Sequence, residues 1–244
     1  MTEILYGRHP VREALRTGRP LNKILVARGL GGAAVQEIRN LALTRGVPVQ
    51  TVDRQALDRL AGGGVHQGFL AFAAPKEYVT LDDILEKANA PPLLLVLDHI
   101  TDPRNLGAIL RTAAAAGVDG VVIPTRRAAG ITGEAAKAAA GAIEHLPVAR
   151  VTNISRTLRH LKELGFWIVG ADPEASQLLW EAALTGPIAI VIGGEDTGLS
   201  RVVQKECDCL VRIPMTERTA SLNASVAAAL FLYEVVRQRR QADA

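Results

Sequence analysis

Cysteine is nearly absent from the 244-residue sequence, which contains only Cys207 and Cys209. Two cysteines so close together provide no disulfide framework, and a disulfide between them is not expected in a reducing cytoplasm. A metal site would need further ligands nearby, and the flanking sequence suggests none. The Cys-Asp-Cys spacing instead favours a short strand whose two alternate side chains point to one face.

Long hydrophobic runs are also missing. Apolar runs such as residues 91–97 are far shorter than the roughly 20 residues that a membrane-spanning helix needs. The N-terminal residues 1–6 lack the basic region and long apolar stretch of a secretory signal. With 48% hydrophobic and 22% charged residues, the composition is typical of a globular protein, and we expect it in the cytoplasm.

The net charge of +3 is small, but it is distributed unevenly. Residues 1–73 hold ten Lys and Arg against five Asp and Glu, a charge of +5, whereas residues 74–244 hold eighteen against twenty, a charge of −2. This asymmetry is typical of a domain that contacts a polyanion joined to a domain that carries out chemistry. A solvated basic surface without a ligand explains the charge equally well.

Alternating helix and strand patterns predict an α/β protein in two parts, residues 1–73 and 92–244, joined by a linker at 74–91. The all-apolar runs 93–97 and 188–192 predict a parallel sheet with both faces covered. Helices are predicted at 10–16, 33–44, 53–60, 82–87, 106–116, 133–143, 154–164, 199–206 and 222–239, and further strands at 22–27, 47–52, 69–73, 120–123, 148–151, 167–170 and 210–213.

Three segments combine glycine or proline with polar residues that can take part in catalysis or binding. Each segment follows an apolar run in the chain. They are Asn105-Leu-Gly-Ala-Ile-Leu-Arg111, Ile192-Gly-Gly-Glu-Asp-Thr-Gly198 and Ile213-Pro-Met-Thr-Glu-Arg-Thr-Ala-Ser-Leu-Asn223. An open α/β sheet places its site at the carboxyl ends of its strands. Three such junctions in one domain therefore predict a single site to which all three contribute.

Each segment taken alone has a plain structural explanation. Asn105 stands at a helix start and can cap its free amides, and Arg111 can serve as a structural ion pair or an exposed charge. Ser221 or Asn223 can cap the last helix. The turn around Glu195 lacks both nucleotide-loop fingerprints, and its carboxylate would repel phosphate. It therefore favours a neutral or cationic ligand, such as one with a sulfonium group.

In combination, the order, spacing and residue types of these segments resemble the three signature motifs of the SpoU/TrmH family, the RNA 2′-O-ribose methyltransferases of the SPOUT superfamily. Tyr6-Gly-Arg-His-Pro-Val-Arg-Glu-Ala-Leu15 and His66-Gln-Gly-Phe-Leu-Ala71 resemble the substrate-binding domain of the rRNA guanosine branch. The resemblance covers nearly the whole chain. It implies a small N-terminal α/β (L30e-like) RNA substrate-binding domain at 1–73 and a C-terminal SPOUT α/β trefoil-knot domain at 92–244.

The resemblance also implies a cofactor and roles for individual residues. S-adenosyl-L-methionine (SAM) is expected to bind at Gly193, Ile213 and Leu222, with Gly194 and Met215 close by. The family's catalytic positions fall on Arg111, Glu195, Ser221, Asn223 and Asn105. Similar enzymes are homodimers with each active site completed across the interface. No metal is implied, because SAM carries its own positively charged leaving group.

The implied reaction is in-line transfer of the SAM methyl group to a ribose 2′-hydroxyl, which must lose its proton as it attacks. In the mechanism proposed for the family, Arg111 would be part of the system that activates the 2′-hydroxyl. Because a guanidinium hardly deprotonates in proteins, Arg111 can instead hold the substrate phosphate and orient the hydroxyl. Ser221 and Glu195 would then fix Arg111 or the loops, and Asn223 would support the knot backbone. We expect the Arg111 guanidinium to be buried at this site.

RNA contacts are expected on the first helix, where Arg8, Arg12 and Arg16, together with Arg19, can form a strip that faces phosphates. A plain solvated helix face explains the same residues equally well. One position departs from the family pattern, because Glu217 stands where glycine is usual. That difference concerns the geometry of the third loop or its RNA contact.

The leading interpretation is an enzyme that methylates a guanosine ribose in large-subunit (23S) rRNA. One alternative is a tRNA guanosine 2′-O-methyltransferase, although that branch usually carries only short terminal extensions. Another is a catalytically silent RNA-binding ribosome-assembly factor, against which the intact Arg111, Glu195, Ser221 and Asn223 argue. A nucleotide-dependent dehydrogenase would need the glycine fingerprint that this sequence lacks.

Overall fold

The computed structural model describes residues 2–195, 197–216 and 221–242. Within them the strands form one sheet of four strands and one of seven. The elements are β1 (Glu3–Tyr6), α1 (Arg8–Thr17), β2 (Leu21–Ala27), α2 (Ala33–Thr44), β3 (Val49–Val52), α3 (Arg54–Ala61), β4 (Phe69–Ala73), α4 (Leu81–Leu85), β5 (Leu93–Asp98), α5 (Pro103–Ala115), β6 (Gly120–Pro124), α6 (Gly133–Ala138), β7 (Val148–Val151), α7 (Ile154–Glu163), β8 (Trp167–Ala171), β9 (Gln177–Leu178), β10 (Ile188–Gly193), α8 (Arg201–Gln204), β11 (Cys209–Arg212) and α9 (Ala224–Ala242).

The four-stranded sheet has the order β1-β4-β2-β3, in which β2 and β3 are parallel and the other pairs antiparallel. Strands β1 and β9 lie outside the elements that the sequence predicts. Helix α1 ends at Gly18, whose φ of 77° is the left-handed conformation that glycine adopts at helix ends.

The seven-stranded sheet is parallel throughout, with the order β7-β6-β5-β10-β8-β11-β9. Strand β5 shows how both of its faces are covered. Leu95 and Leu97 pack in one hydrophobic cluster, and Leu94 and Val96 pack in another on the opposite face. An all-apolar strand is the pattern expected when both faces of a sheet are buried.

The strand order reverses direction beside β5. From β5 the chain runs outward through β6 and β7, and it then returns to build β8, β10 and β11 on the other side. Strand β10 lies between β5 and β8, with Gly193 paired to Asp98 at the carboxyl edge. This reversal creates a crevice at the strand ends, which is where α/β sheets bind their ligands.

The segment between the two sheets packs on the larger one. Val79 forms a parallel bridge with Ala149 of β7, and Ile84 of α4 is buried in the core cluster there. Thr80 and Asp83 form a capping box at the start of α4. The predicted linker is therefore held by backbone and apolar contacts from Val79 to Ile84.

A buried ion-pair cluster joins the two sheets. Arg19 donates to Glu3 Oε2 at 2.5 Å and to Glu144 Oε1 at 2.7 Å, and its side chain is only 5% exposed. Burial raises the pKa of the Glu3 carboxyl, and the nearby positive charge of Arg19 only partly offsets this. The expectation that Arg19 belongs to a phosphate-facing strip is therefore wrong, because its guanidinium serves the domain interface.

The two cysteines do not share a face. Cys207 lies in the turn after α8, where its backbone N–H donates to the Gln204 carbonyl, and only Cys209 belongs to β11. They pack against opposite hydrophobic clusters. The single-face expectation is wrong because the strand begins two residues later than the alternation assumes. Burial, the largest effect, raises the pKa of the Cys207 thiol to about 12, so it is protonated at neutral pH.

Replacing Glu144 by Ala should destabilise the docked domains. The substitution leaves the buried Arg19 with one carboxylate fewer, and such a loss typically costs about 3 kcal/mol. Urea denaturation should show the change as a lower midpoint. Glu163→Ala, which removes a well-exposed carboxylate on α7, is the matched control and should leave the midpoint almost unchanged. Equal midpoints for the two variants would contradict a stabilising role for the cluster.

Candidate active site

The loops that follow β5 and β10 are tied together at the carboxyl edge of the large sheet. Asp98 ends β5 and is buried, and its Oδ2 accepts from the Ser200 backbone N–H at 3.0 Å. Its Oδ1 lies 2.6 Å from His99 Nδ1. A Cβ on Gly194 would lie 2.5 Å from the His99 carbonyl oxygen, so only glycine fits there. The loop that leads from β5 to the first motif therefore contacts the second motif through its backbone.

A cavity of about 370 Å³ opens where the loops after β8, β10 and β11 converge with α9. Its volume lies in the range of small-molecule sites, about 300–1,000 Å³. The five residues expected at the cofactor all line it: Gly193, Gly194, Ile213, Met215 and Leu222. Glu195 and Ser221 line it as well, so the structure brings seven of the expected site residues to one cavity.

The cavity wall combines apolar surface with carboxylates. Leu199 and Phe231 supply further apolar surface, and Asp172 and Glu174 join Glu195 as acidic residues. Asp172 Oδ2 accepts from Gln204 Nε2 at 3.0 Å, which fixes the carboxylate. Carboxylates at an apolar cavity suit a ligand that has both an apolar part and a positive charge. A sulfonium-bearing nucleoside such as SAM meets this description.

Sequence reasoning missed the loop after β8, which contributes Ala171-Asp-Pro-Glu174 to the cavity. The signal was available, because two carboxylates and a proline follow an apolar strand here as they do in the three motifs. Arg212 and Gln204 also line the cavity and had no comparable signal.

A chain of polar side chains links the three motifs. Asn105 Nδ2 donates to Glu195 Oε1, and Asn223 Nδ2 donates to Asn105 Oδ1 at 3.1 Å. Asn223 Oδ1 in turn accepts from the backbone N–H and the hydroxyl of Ser225 at 2.9 and 2.6 Å. Asn223 thus caps the start of α9 as one expectation had it, while its amide reaches the first motif.

The cap of α5 differs from the sequence expectation. Asp102 caps this helix, accepting from the Arg104 backbone N–H at 2.8 Å, and Pro103 occupies the first helical position. Asn105 lies within the first turn, which leaves its side chain free to bond to Glu195 and Asn223. The capping expectation for Asn105 is therefore wrong, because Asp-Pro sets the helix start three residues earlier.

Arg111 lies apart from this cluster. Six residues beyond Asn105 on α5 correspond to about 9 Å along the axis and about 120° around it. The side chain is exposed and lines a different cavity, together with His9 and His145. The expectation of a buried guanidinium is wrong for this single chain, because this face of α5 is directed away from the sheet.

The three arginines expected to contact RNA differ in their surroundings. Arg8 is exposed, whereas the half-buried Arg12 donates to Glu13 Oε1 at 2.9 Å. Arg16 donates to Glu37 Oε1 at 2.7 Å. Arg8 and Arg12 are near His9 and the cavity that contains Arg111, while Arg16 is held by carboxylates. Glu217, the departure in the third motif, lies outside the described residues.

Two family models match the chain. The model of the SpoU rRNA Methylase family matches residues 92–233. A second model, for RNA 2′-O ribose methyltransferase substrate binding, matches residues 4–79. The matches fall on the two parts of the chain that carry the seven-stranded and the four-stranded sheet.

Three relatives illustrate the similarity. YacO of Bacillus subtilis, named as a TrmH family tRNA/rRNA methyltransferase, is 45% identical over 240 residues, covering 97% of this chain and 96% of its own. The SpoU methyltransferase AviRb of Streptomyces viridochromogenes, crystallised with AdoMet (SAM), has a TM-score of 0.83 and 26% identity, covering 98% and 91%. An AdoMet-bound rRNA methyltransferase of Sinorhizobium meliloti has a TM-score of 0.81 and 25% identity, covering 97% and 87%.

The cavity at the strand ends, the polar chain that joins the three motifs and the matches along both domains agree with one another. This chain belongs to the SpoU/TrmH family of SAM-dependent RNA 2′-O-ribose methyltransferases.

Proposed function

We propose that this protein transfers the methyl group of SAM to the ribose 2′-hydroxyl of a guanosine in 23S rRNA, in the cytoplasm. The observation that carries the proposal is the docking of the domain that matches the substrate-binding family model beside Arg111. Through α1, that domain presents His9, Arg8 and Arg12 next to the exposed face of α5. A large folded RNA can contact both domains at once in this arrangement.

The residues of the cavity fit a bound SAM, and its sulfonium supplies an activated methyl group with a neutral leaving group. Gly193 and Gly194 present backbone groups at the carboxyl end of β10 without side chains in the way. Ile213, Met215 and Leu222 give apolar contact for the nucleoside.

Arg111 is assigned the substrate phosphate. Its guanidinium stays charged and can bind two phosphate oxygens at once, which orients the adjacent ribose for in-line attack. Within the described residues, no carboxylate forms an ion pair with Arg111, so its donors are free for a ligand. Because it lies outside the SAM cavity of its own chain, we assign it to the active site of a partner protomer.

The exposed apolar face of α9 is the proposed dimer surface. Val226, Leu230 and Tyr233 recur at helical spacing and are 47%, 38% and 50% exposed. Helix α9 packs beside α5, the helix that carries Arg111. None of the described helices is long and apolar enough to cross a membrane.

Two other functions remain distinct candidates. A tRNA guanosine 2′-O-methyltransferase would use the same cavity, but the substrate-binding domain over residues 4–79 favours a larger RNA. A catalytically silent ribosome-assembly factor would bind SAM or RNA without transfer. The polar chain from Glu195 through Asn105 to Asn223 favours an active enzyme, because it holds the three motifs in one arrangement.

Incubating the protein with methyl-labelled SAM and separate unmodified tRNA and rRNA fractions tests the proposal. Label is expected in 23S rRNA, on a guanosine 2′-oxygen, when the modified nucleotide is mapped. Label confined to tRNA would reject the rRNA assignment. SAM binding without label in either RNA would favour the silent factor.

Arg111→Ala should lower kcat by about 100-fold, because the substrate ribose loses its orientation. Arg111→Lys keeps the charge but loses the two-pronged contact, so an intermediate loss is expected. SAM affinity, measured by calorimetry, should stay unchanged in both variants. Arg159→Ala, at an exposed arginine of α7, is the control for loss of one surface charge. Full activity in Arg111→Ala would refute the assigned role.

Replacing both Leu230 and Tyr233 by Glu should give a monomer with little activity. Light scattering of the native 26.0 kDa chain at micromolar concentration should report about twice that mass, and the variant should report the chain mass. Val202→Glu places the same charge at an exposed apolar residue of α8 and should leave the dimer intact. A native monomer that is fully active would exclude a shared active site.

Gly194→Ala should weaken SAM binding by at least about tenfold, since the added Cβ would collide with the His99 carbonyl and displace the loop. The control is Gly186→Ala, where the structure leaves open space for a Cβ. Calorimetric titration with SAM would reveal the difference. Unchanged affinity in Gly194→Ala would show that this close approach does not shape the cofactor site.

A further inference from the structure

A groove separates the two domains beside Arg111. It has a volume of about 470 Å³ and is lined by His9 of α1, Arg111 of α5, and His145. Alanines of α5 and of the turn after α6 complete it, so small side chains leave the space open. We call this feature the interdomain groove.

The walls of the interdomain groove are held in fixed positions. Ala140 has a φ of 50° and Gly141 a φ of 90°, a tight left-handed turn. A Cβ on Gly141 would lie 2.5 Å from Glu13 Cγ, which brings this turn directly against α1. His145 Nε2 bonds to Glu13 Oε2 at 3.0 Å across the same junction. The two domains therefore present a preformed surface here.

Hydrogen-bond donors outnumber acceptors around His9. Arg8 Nη2 lies 3.1 Å from His9 Nε2, and Arg12 Nη2 lies 3.4 Å from His9 Nδ1. A guanidinium only donates, and a neutral imidazole has one nitrogen that can accept. One of the two arginine contacts therefore brings two donors together. An anion that accepts from both arginines and from the imidazole N–H would resolve this conflict.

The charges around His9 also favour an anion. Burial, followed by the positive charges of Arg8 and Arg12, lowers the pKa of His9. The nearest carboxylate on the same helix, Glu13, already bonds to Arg12, Arg16 and His145. No carboxylate is among the described residues that line the groove.

A second cavity adjoins the groove at His9. It has a volume of about 380 Å³, lies on the small domain and is lined by Arg8, His9, Leu30 and Gln67, among others. His9 lines both spaces, so an extended ligand can occupy them together. A nucleic-acid strand is such a ligand, since its phosphates recur at regular intervals.

We infer that the interdomain groove binds the sugar–phosphate backbone of the RNA strand flanking the target nucleotide, with His9 as a positioning residue between the α1 arginines and Arg111. This inference rests on the proposed function, and it gives that function a substrate path. One phosphate accepts from Arg8, Arg12 and His9, and the next nucleotide is delivered to Arg111. The substrate phosphate thereby compensates the positive charges of Arg8 and Arg12.

His9→Ala is the first test, with the full-length protein, SAM and an unmodified 23S rRNA transcript. The KM for RNA should rise about tenfold, as expected for loss of a hydrogen bond to a charged group, while kcat falls less. SAM affinity and the unfolding temperature should match those of the native protein. The control His160→Ala removes an exposed histidine of α7 and should leave the KM unchanged.

Salt dependence separates the charged contact from the neutral one. Arg8→Ala should reduce the slope of log affinity against log salt by about 0.7, the value for one phosphate contact on a single strand. His9→Ala at pH 7.5 should weaken binding with a smaller change of that slope than Arg8→Ala, because burial and the positive charges of Arg8 and Arg12 lower the His9 pKa. Equal slopes for the native protein and Arg8→Ala would show that Arg8 does not contact an RNA phosphate, which would contradict the inferred binding mode.

The pKa of His9 gives a readout that does not depend on activity. A bound phosphate favours the imidazolium form of His9. Adding a mixed-sequence hexaribonucleotide should therefore raise the His9 pKa, which can be measured from the imidazole proton resonance. By linkage, native affinity for this RNA should increase as the pH falls from 7.5 to 6, and His9→Ala should lack this increase. The charged groups facing His9 are Arg8, Arg12 and Glu13 of α1 and Arg111 of α5, with His145 opposite.

The outcomes distinguish this inference from the proposed function. If the native protein labels rRNA but His9→Ala has the same RNA KM as His160→Ala, the inference about the groove is overturned and the proposed function is not. A His9 resonance that shifts with protein concentration but not with RNA would assign the groove to a second copy of the chain. If His9→Ala unfolds, Ala115→Trp, at an exposed position, fills the groove instead. An unchanged RNA KM in that variant would also overturn the inference.

Discussion

The parallel pairing of β5 with β10 is the constraint on which the site depends. It sets Asp98 opposite Gly193, so the loops of the first two motifs leave the sheet side by side. The buried Asp98 carboxylate then accepts from the Ser200 amide, and Gly194 rests against the His99 carbonyl. A slip of one residue would turn every side chain of the strand to the other face. The cofactor cavity and the chain from Glu195 to Asn223 both follow from this register.

The molecule separates the surfaces for its two charged ligands. The SAM cavity carries the carboxylates Asp172, Glu174 and Glu195, which suit a cation and repel phosphate. Arg111, His9 and His145 line the interdomain groove, where hydrogen-bond donors prevail and which suits phosphate. In the SAM cavity these three carboxylates outnumber Arg212, the one cation among the described residues that line it. Because the two surfaces lie on different faces, each can bind its own ligand. The proposed dimer would bring Arg111 of one chain to the SAM cavity of the other.

The arginines of the small domain have divided roles that sequence spacing does not distinguish. Arg19 is buried against Glu3 and Glu144 and joins the domains, whereas Arg16 is held by Glu13 and Glu37. Only Arg8 and Arg12 remain close to the groove. The positive excess of residues 1–73 is therefore partly structural. Because a buried ion pair forms only once both domains are in place, a count of charges along the chain cannot separate these roles.

The sequence by itself determined the class of fold and the content of the cofactor cavity. Apolar runs such as 93–97 and 188–192 are read correctly because burial of both sheet faces excludes polar residues, and the three motifs follow strands whose carboxyl ends must share one edge. Only the tertiary structure decided that Asp102 rather than Asn105 caps α5 and that Arg111 is exposed on another face of that helix. It also decided that Cys207 and Cys209 pack against different hydrophobic clusters. Local patterns encode periodicity and burial, whereas these outcomes depend on which distant side chains arrive beside each residue when the sheets and domains pack.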